Sequence, residues 1–138
     1  MAIDKVVVHV DGGARGNPGP AAVGAVAADP RGNPLLERGL YIGEATNNVA
    51  EYRAVLLALE LANELGAREV EVVNDSELVA RQLGGQYKVK NAGLKPLFKE
   101  TMERLRTFDA WQVRNVRREE NVRADELVNE ALDDAAAG

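Results

Sequence analysis

The apolar positions of this chain repeat with two periods, and the places where one gives way to the other divide it into elements. From Lys5 to Asp11 valines crowd a short run that stops at DGGARGNPGP, a stretch of turn formers. Ala22–Ala28 and Leu35–Ile42 read as second and third strands, separated by the turn DPRGNP. Such short connections predict antiparallel neighbours, because parallel pairing needs a long crossover. Asn47–Leu65 changes to helical spacing, with Gly66 placed to stop it. Glu69–Asn74 alternates again as a fourth strand, and Ser76–Leu83 predicts a short helix capped by Asp75 or Ser76. After a Gly-Gly pair and a lysine-bearing loop, Leu94–Arg106 reads as a helix interrupted early by Pro96. Ala110–Val116 is the fifth strand, and Val122–Ala135 the last helix, with Asn121 at its N-cap. The order βββαβααβα predicts a mixed α/β layer architecture. With no linker or internal repeat, residues 1–138 are expected to form a single domain.

Composition narrows the chemistry. A hydrophobic share of 46% beside 28% charged residues is that of a globular chain rather than a disordered one. There is no cysteine, which excludes disulfides and thiolate metal sites. The apolar run near the N-terminus is short and carries Asp4 and Lys5, unlike a signal peptide, and no stretch approaches the roughly 20 apolar residues of a membrane span. A soluble cytoplasmic protein is expected, without membrane or obligate protein partner and monomeric.

The net charge of −5 argues against a general nucleic-acid coat protein. Charge is unevenly spread, however. Arg81, Lys88, Lys90, Lys95 and Lys99 face only Glu77 between residues 77 and 99, and residues 104–118 hold five arginines against Asp109. These are either ordinary solvated faces or a local surface able to hold a polyanion.

Four carboxylates change the picture. Asp11 closes the first predicted strand and Asp75 the fourth. If those strands are parallel neighbours, both acids emerge at carboxyl ends of the sheet, where α/β proteins place ligands. Glu51 shares a helical stripe with Val55, Ala58 and Ala62, and Asp125 shares one with Val128, Asn129 and Leu132. Taken singly, Asp11 serves a turn, Asp75 a helix cap, and Asp125 a helix dipole. Glu51 is harder to dismiss, since an ionised carboxylate on a core-facing stripe needs compensation. Were the four to converge, mutual repulsion would require protonation or a cation. An all-oxygen site suits magnesium or manganese. Two such ions about 4 Å apart are a known device for phosphodiester cleavage.

Four segments, DGGARGNPGPAAVG, TNNVAEYRA, NDSELV with QYKVKN, and ENVRADELVNEA, resemble in order the signature blocks of type 1 ribonuclease H, and they span Asp11 to Ala131. The resemblance implies a ribonuclease H-like α/β fold: a five-stranded mixed sheet of order 3-2-1-4-5, strand 2 antiparallel, flanked by helices. It implies hydrolysis of the RNA strand of RNA–DNA hybrids with little sequence preference. Two Mg2+ ions, with Mn2+ as a substitute, would be held by Asp11, Glu51, Asp75 and Asp125. Asn17, Asn47 and Asn48 would face the minor groove and its 2′-hydroxyls, and Thr46 a phosphate of the DNA strand.

The chain departs from the family's pattern in three places. The stretch VRNVRREENVRAD has no histidine where many relatives carry a mobile one, so that Arg118 or Glu119 would have to take its part; His9, the single histidine, reads as structural. QLGGQYKVKNAGLKPLFKE is too short for the family's basic handle helix, leaving Lys88 and Lys90, with Lys95 and Lys99, as a reduced version. Glu77 stands where an amide is common, either disturbing the site or pointing to solvent. The rival readings are a silent hybrid-binding module, another nuclease of the same fold, and a small-molecule phosphate binder. The last lacks the GxxxxGK[ST] loop that would carry it.

Overall fold

Alternating valines at the start of the chain become the central strand of a five-stranded sheet. The computed structural model describes residues 3–138, and Met1 and Ala2 of the expected single domain lie outside them. Strands β1 (Lys5–Ala14), β2 (Gly19–Ala28) and β3 (Pro34–Ala45) form an antiparallel meander. Helix α1 (Asn47–Glu64) crosses to β4 (Glu69–Asn74), and α2 (Glu77–Leu83) and α3 (Lys95–Leu105) lead to β5 (Ala110–Asn115). A 3-10 turn at Arg118–Glu120 then introduces α4 (Val122–Ala137). The strand order is β3-β2-β1-β4-β5, with β4 parallel to β1 and β5 parallel to β4. This is the expected fold.

The alternation decides the layers. Val6, Val8 and Val10 are buried in one core cluster with Tyr52, Val55 and Leu59 of α1. On the far side α4 packs on β2 and β3, bringing Val128 and Leu132 onto Ala22. Small residues make that approach possible. A Cβ on Gly24 would stand 2.7 Å from the carbonyl oxygen of Ala124, closer than packed atoms allow.

Some predicted ends move. β1 does not stop at Asp11 but continues through Gly12 and Gly13 to Ala14, paired with Val23, Ala22 and Ala21. Those glycines looked like turn residues because glycine ordinarily weakens a strand; here at least Gly12 answers to packing instead. The turn itself is confined to residues 15–18, where Gly16 adopts φ 99°. Pro96 does not interrupt α3. It sits in the first turn, where a missing N–H costs nothing. Among the described residues no helix is long and apolar enough to cross a membrane.

Candidate active site

The site is made by two neighbouring strands parting. Parallel pairing of β1 with β4 ends at His9 opposite Val73, while β1 continues alongside β2 past Asp11 opposite Gly24. Asp11 therefore stands beyond the last parallel pair, and Asp75 directly follows β4. Glu51, from the second turn of α1, and Asp125, from the first turn of α4, join them in lining one cavity of about 470 Å3. Arg15, Asn47, Arg117, Arg118 and Asn129 line it as well. Four acids far apart in the chain, from four segments, thus share one opening.

Each is held by local chemistry. Gly12 lets α1 approach: a Cβ there would overlap the Ala50 carbonyl and lie 2.8 Å from the Glu51 nitrogen. Asn47 Oδ1 accepts from Ala14 N at 2.8 Å, and the Asn47 N–H donates to Asn17 Oδ1 at 3.0 Å, so the β1–β2 turn is fastened to the start of α1. Ser76 Oγ donates to Glu51 Oε2 at 2.8 Å and accepts from Val79 N at 3.3 Å, capping α2 while orienting the acid. Of the two predicted caps, Ser76 is the one used. Asn74 Oδ1 accepts from Ser76 N at 2.9 Å, closing a turn around Asp75. Asn121 occupies the N-cap position of α4 but makes no side-chain cap. Its Nδ2 donates instead to Val10 O at 2.7 Å, tying the helix start to β1 just before Asp11.

Ser76→Ala is accordingly expected to cost about 1–2 kcal/mol by loss of a helix cap and a carboxylate hydrogen bond. Urea unfolding measures it, and unchanged stability would show that neither contact matters.

The electrostatics are those of crowded acids. Burial pushes the Asp11 carboxyl up to about 8, with the charge of Asp75 and hydrogen bonding to Asp125 adding to the effect. Burial also raises Asp75, against the opposing pull of the nearby Arg118 guanidinium. Burial raises Glu51 as well, offset in part by the Ser76 hydrogen bond. Among the described residues no three acidic or histidine side chains close on a single point to form a ready metal cage. Glu51 is turned to Ser76, while Asp11 leans toward Asp75 and Asp125. The crowding is nevertheless of the kind that a divalent cation relieves, and the donors are all oxygen, so the residues fit such an ion.

Other predicted residues lie around the opening. Thr46 caps α1, its Oγ1 accepting from Val49 N at 3.3 Å, and Asn48 is exposed beside it. Arg118 lines the cavity, whereas Glu119 is exposed on the 3-10 turn and does not. Lys88 and Lys90 are exposed on the loop after α2, away from the cavity wall. That loop is anchored through Gln82, which accepts from the buried Tyr52 hydroxyl at 2.6 Å and donates to Lys88 O at 3.5 Å. Glu77 points outward and accepts from Arg81 Nε at 2.8 Å. His9 is half-buried outside the acid cavity, beside Val26, Pro34 and Val122, its imidazole pKa lowered by burial and then by Arg114. Arg15 and the Glu51-binding role of Ser76 carry no signal in the sequence, and Arg117 stands out there only as one charge in the basic stretch of residues 104–118. Arg15 was hidden in a glycine-rich turn, where spacing gives no sign of what its side chain reaches.

A mixed sheet of this order with acids where β1 and β4 part defines the ribonuclease H-like class. Residues 9–131 match the family described as reverse transcriptase-like. Ribonuclease HI of Halobacterium salinarum is 46% identical over 131 residues, covering 95% of this chain and 66% of that protein. The crystal structure of the RNase H1 from that archaeon aligns with a TM-score of 0.92 over 94% of this chain and 98% of the other. LC11-RNase H1, solved in complex with an RNA/DNA hybrid, is 48% identical with a TM-score of 0.91, covering 95% and 99% of the two chains. A ribonuclease H of Pseudomonas fluorescens is 30% identical, covering 96% of this chain and 94% of that protein. The chain belongs to the type 1 ribonuclease H family. It spans about two thirds of the Halobacterium protein, and 36% of a bifunctional Mycobacterium tuberculosis protein to which it is 46% identical.

Proposed function

We propose that this protein is an endoribonuclease that hydrolyses the RNA strand of RNA–DNA hybrids, with Asp11, Glu51, Asp75 and Asp125 as its catalytic carboxylates. The observation that carries the reading is the meeting of these four acids in one cavity flanked by arginines. The hybrid bound by LC11-RNase H1 supports the substrate class. The same four residues would hold two divalent ions, Mg2+ or in its place Mn2+, which when bound supply activation of water and stabilisation of the leaving oxygen.

The chain's own residues do the positioning. The oxygens of Asn17 and Asn47 are engaged by backbone amides. Their NH2 ends, with Asn48, are left to donate to acceptors in the minor groove, where RNA displays 2′-hydroxyls. Thr46, at the N-terminus of α1, suits a phosphate of the DNA strand. Lys88 and Lys90 supply a small basic surface in place of a full handle. Reading by backbone and hydroxyl leaves little sequence preference. Residues 1–138 then act as one catalytic unit, monomeric and cytoplasmic.

Arg118 sits close enough to Asp75 to favour its ionised form. Arg118→Ala is expected to lower kcat by less than about tenfold, since the four acids remain. A folded but inactive variant would promote Arg118 to a catalytic role; Glu119, exposed outside the cavity, is the weaker of the two auxiliary candidates.

The direct test incubates the protein with labelled RNA–DNA hybrid, RNA duplex, DNA duplex and single strands, in magnesium, manganese or EDTA. Metal-dependent cutting of RNA in the hybrid alone is expected. Tight hybrid binding without cutting would instead make the chain a silent binding module.

A further inference from the structure

The turn after β1 carries an arginine whose position is fixed and whose side chain is only lightly held. The Arg15 N–H donates to Pro20 O at 2.8 Å, and the preceding Ala14 N–H is bound by Asn47, so the backbone here is anchored on both sides. From that base the side chain reaches across to α4. Its NH1 lies 2.8 Å from Asp133 Oδ1, and its NH2 donates to Asn129 Oδ1 at 3.3 Å. Asn129 in turn donates to the Asp125 carbonyl at 3.1 Å. Arg15 thus lines the cavity of the four acids and is bridged to the helix that carries one of them.

Two features separate it from an ordinary surface ion pair. It is placed on the other side of the opening from Arg117 and Arg118: the strand order puts the β1–β2 turn toward β2 and the end of β5 beyond β4. A phosphodiester chain crossing the acids between these poles would meet a cation at each end. Its present partner is also easily exchanged, because both side chains of the Arg15–Asp133 pair are substantially exposed and such pairs contribute little. Guanidinium–phosphate contacts are frequently bidentate and charge-assisted, and stronger than this.

We propose that Arg15 is a substrate-binding residue that takes a phosphate of the RNA strand, and that Asp133 parks it until the substrate displaces the carboxylate. This rests on the hybrid-cleaving function proposed above and adds to it a named contact and an internal competitor.

The test measures hybrid binding between about 50 and 200 mM salt in an Asp11→Asn background, with Arg15→Ala, Arg15→Lys, Asp133→Ala and the Arg15→Ala/Asp133→Ala pair. Arg15→Ala is expected to weaken binding about tenfold at low salt and to reduce the slope of log affinity against log salt by about 1. Arg15→Lys retains the slope. Asp133→Ala tightens binding a few-fold, and that gain vanishes when Arg15 is also removed. An unchanged slope in Arg15→Ala, or a gain from Asp133→Ala that persists without Arg15, overturns the proposal. Neutral methylphosphonate linkages in the RNA strand are expected to abolish the dependence on Arg15; loss only with a modified DNA strand overturns the strand assignment. A wild-type protein that neither binds nor cuts hybrid overturns the functional reading and this inference together. One that cuts while the slope of Arg15→Ala is unchanged overturns only the inference.

Discussion

Asp11→Asn is expected to lower turnover on RNA–DNA hybrid by a thousandfold or more, on the order of 4 kcal/mol at the transition state, while the protein stays folded. An amide keeps the shape of the carboxyl but not its charge, and this acid is the most perturbed of the crowd, raised by burial and by the neighbouring Asp75 and Asp125. Stability should move the other way. With its pKa raised from 3.8 to about 8, Asp11 binds a proton more readily in the folded than in the unfolded chain. Metal-free stability is therefore greatest below about pH 4 as far as this group is concerned, and falls as pH rises toward 8. Asparagine removes that slope, so the variant is expected to be the more stable of the two at pH 8 without metal, by up to a few kcal/mol. Single-turnover cleavage and urea titrations at pH 5 and pH 8 check both halves. Near-normal turnover would count heavily against the catalytic assignment, and a variant destabilised at pH 8 would show that Asp11 is not held uncomfortably. Asp75→Asn is expected to match it in activity.

The second large effect concerns the backbone. Gly12→Ala places a methyl group against the carbonyl of Ala50 and within 2.8 Å of the Glu51 nitrogen. Neither neighbour is a flexible side chain, so α1 must move away from β1 or the strand must bend. Overpacking of this kind costs about 1–3 kcal/mol, and the upper part of that range is expected because both sides are regular structure. Glu51 moves with α1 and Asp11 adjoins the altered residue, so cleavage should fall more steeply than stability. The comparison is Gly13→Ala, where a Cβ meets nothing within 4 Å. It should leave both stability and turnover much closer to wild type. Equal effects at the two positions would refute the packing argument.

The five strands, the long helix and the stripe carrying Glu51 followed from apolar spacing, because burial against one sheet imposes a period on whatever chain satisfies it. All four acids could be singled out by position, and the motif resemblance joined them. What escaped was set by contacts across long separations. Asn121 was expected to cap its own helix, yet its amide reaches Val10, 111 residues away. Ser76 could be read as a cap but not as the hydroxyl that binds Glu51, 25 residues earlier.

The glycines after Asp11 make the division clearest. Local propensity reads Gly12 and Gly13 as the beginning of a turn, since an isolated chain gains nothing by keeping glycine extended. In the fold the strand runs on, because β2 supplies the pairing and α1 passes too close for a side chain at Gly12. Period and residue type thus sufficed for the elements and for the positions at which the four acids stand out, all of which depend on neighbours a few positions apart. The shared cavity, the raised Asp11 carboxyl and the reach of Arg15 to Asp133 depend on distances between segments remote in the chain, and those exist only once the strands have paired and both helices have docked.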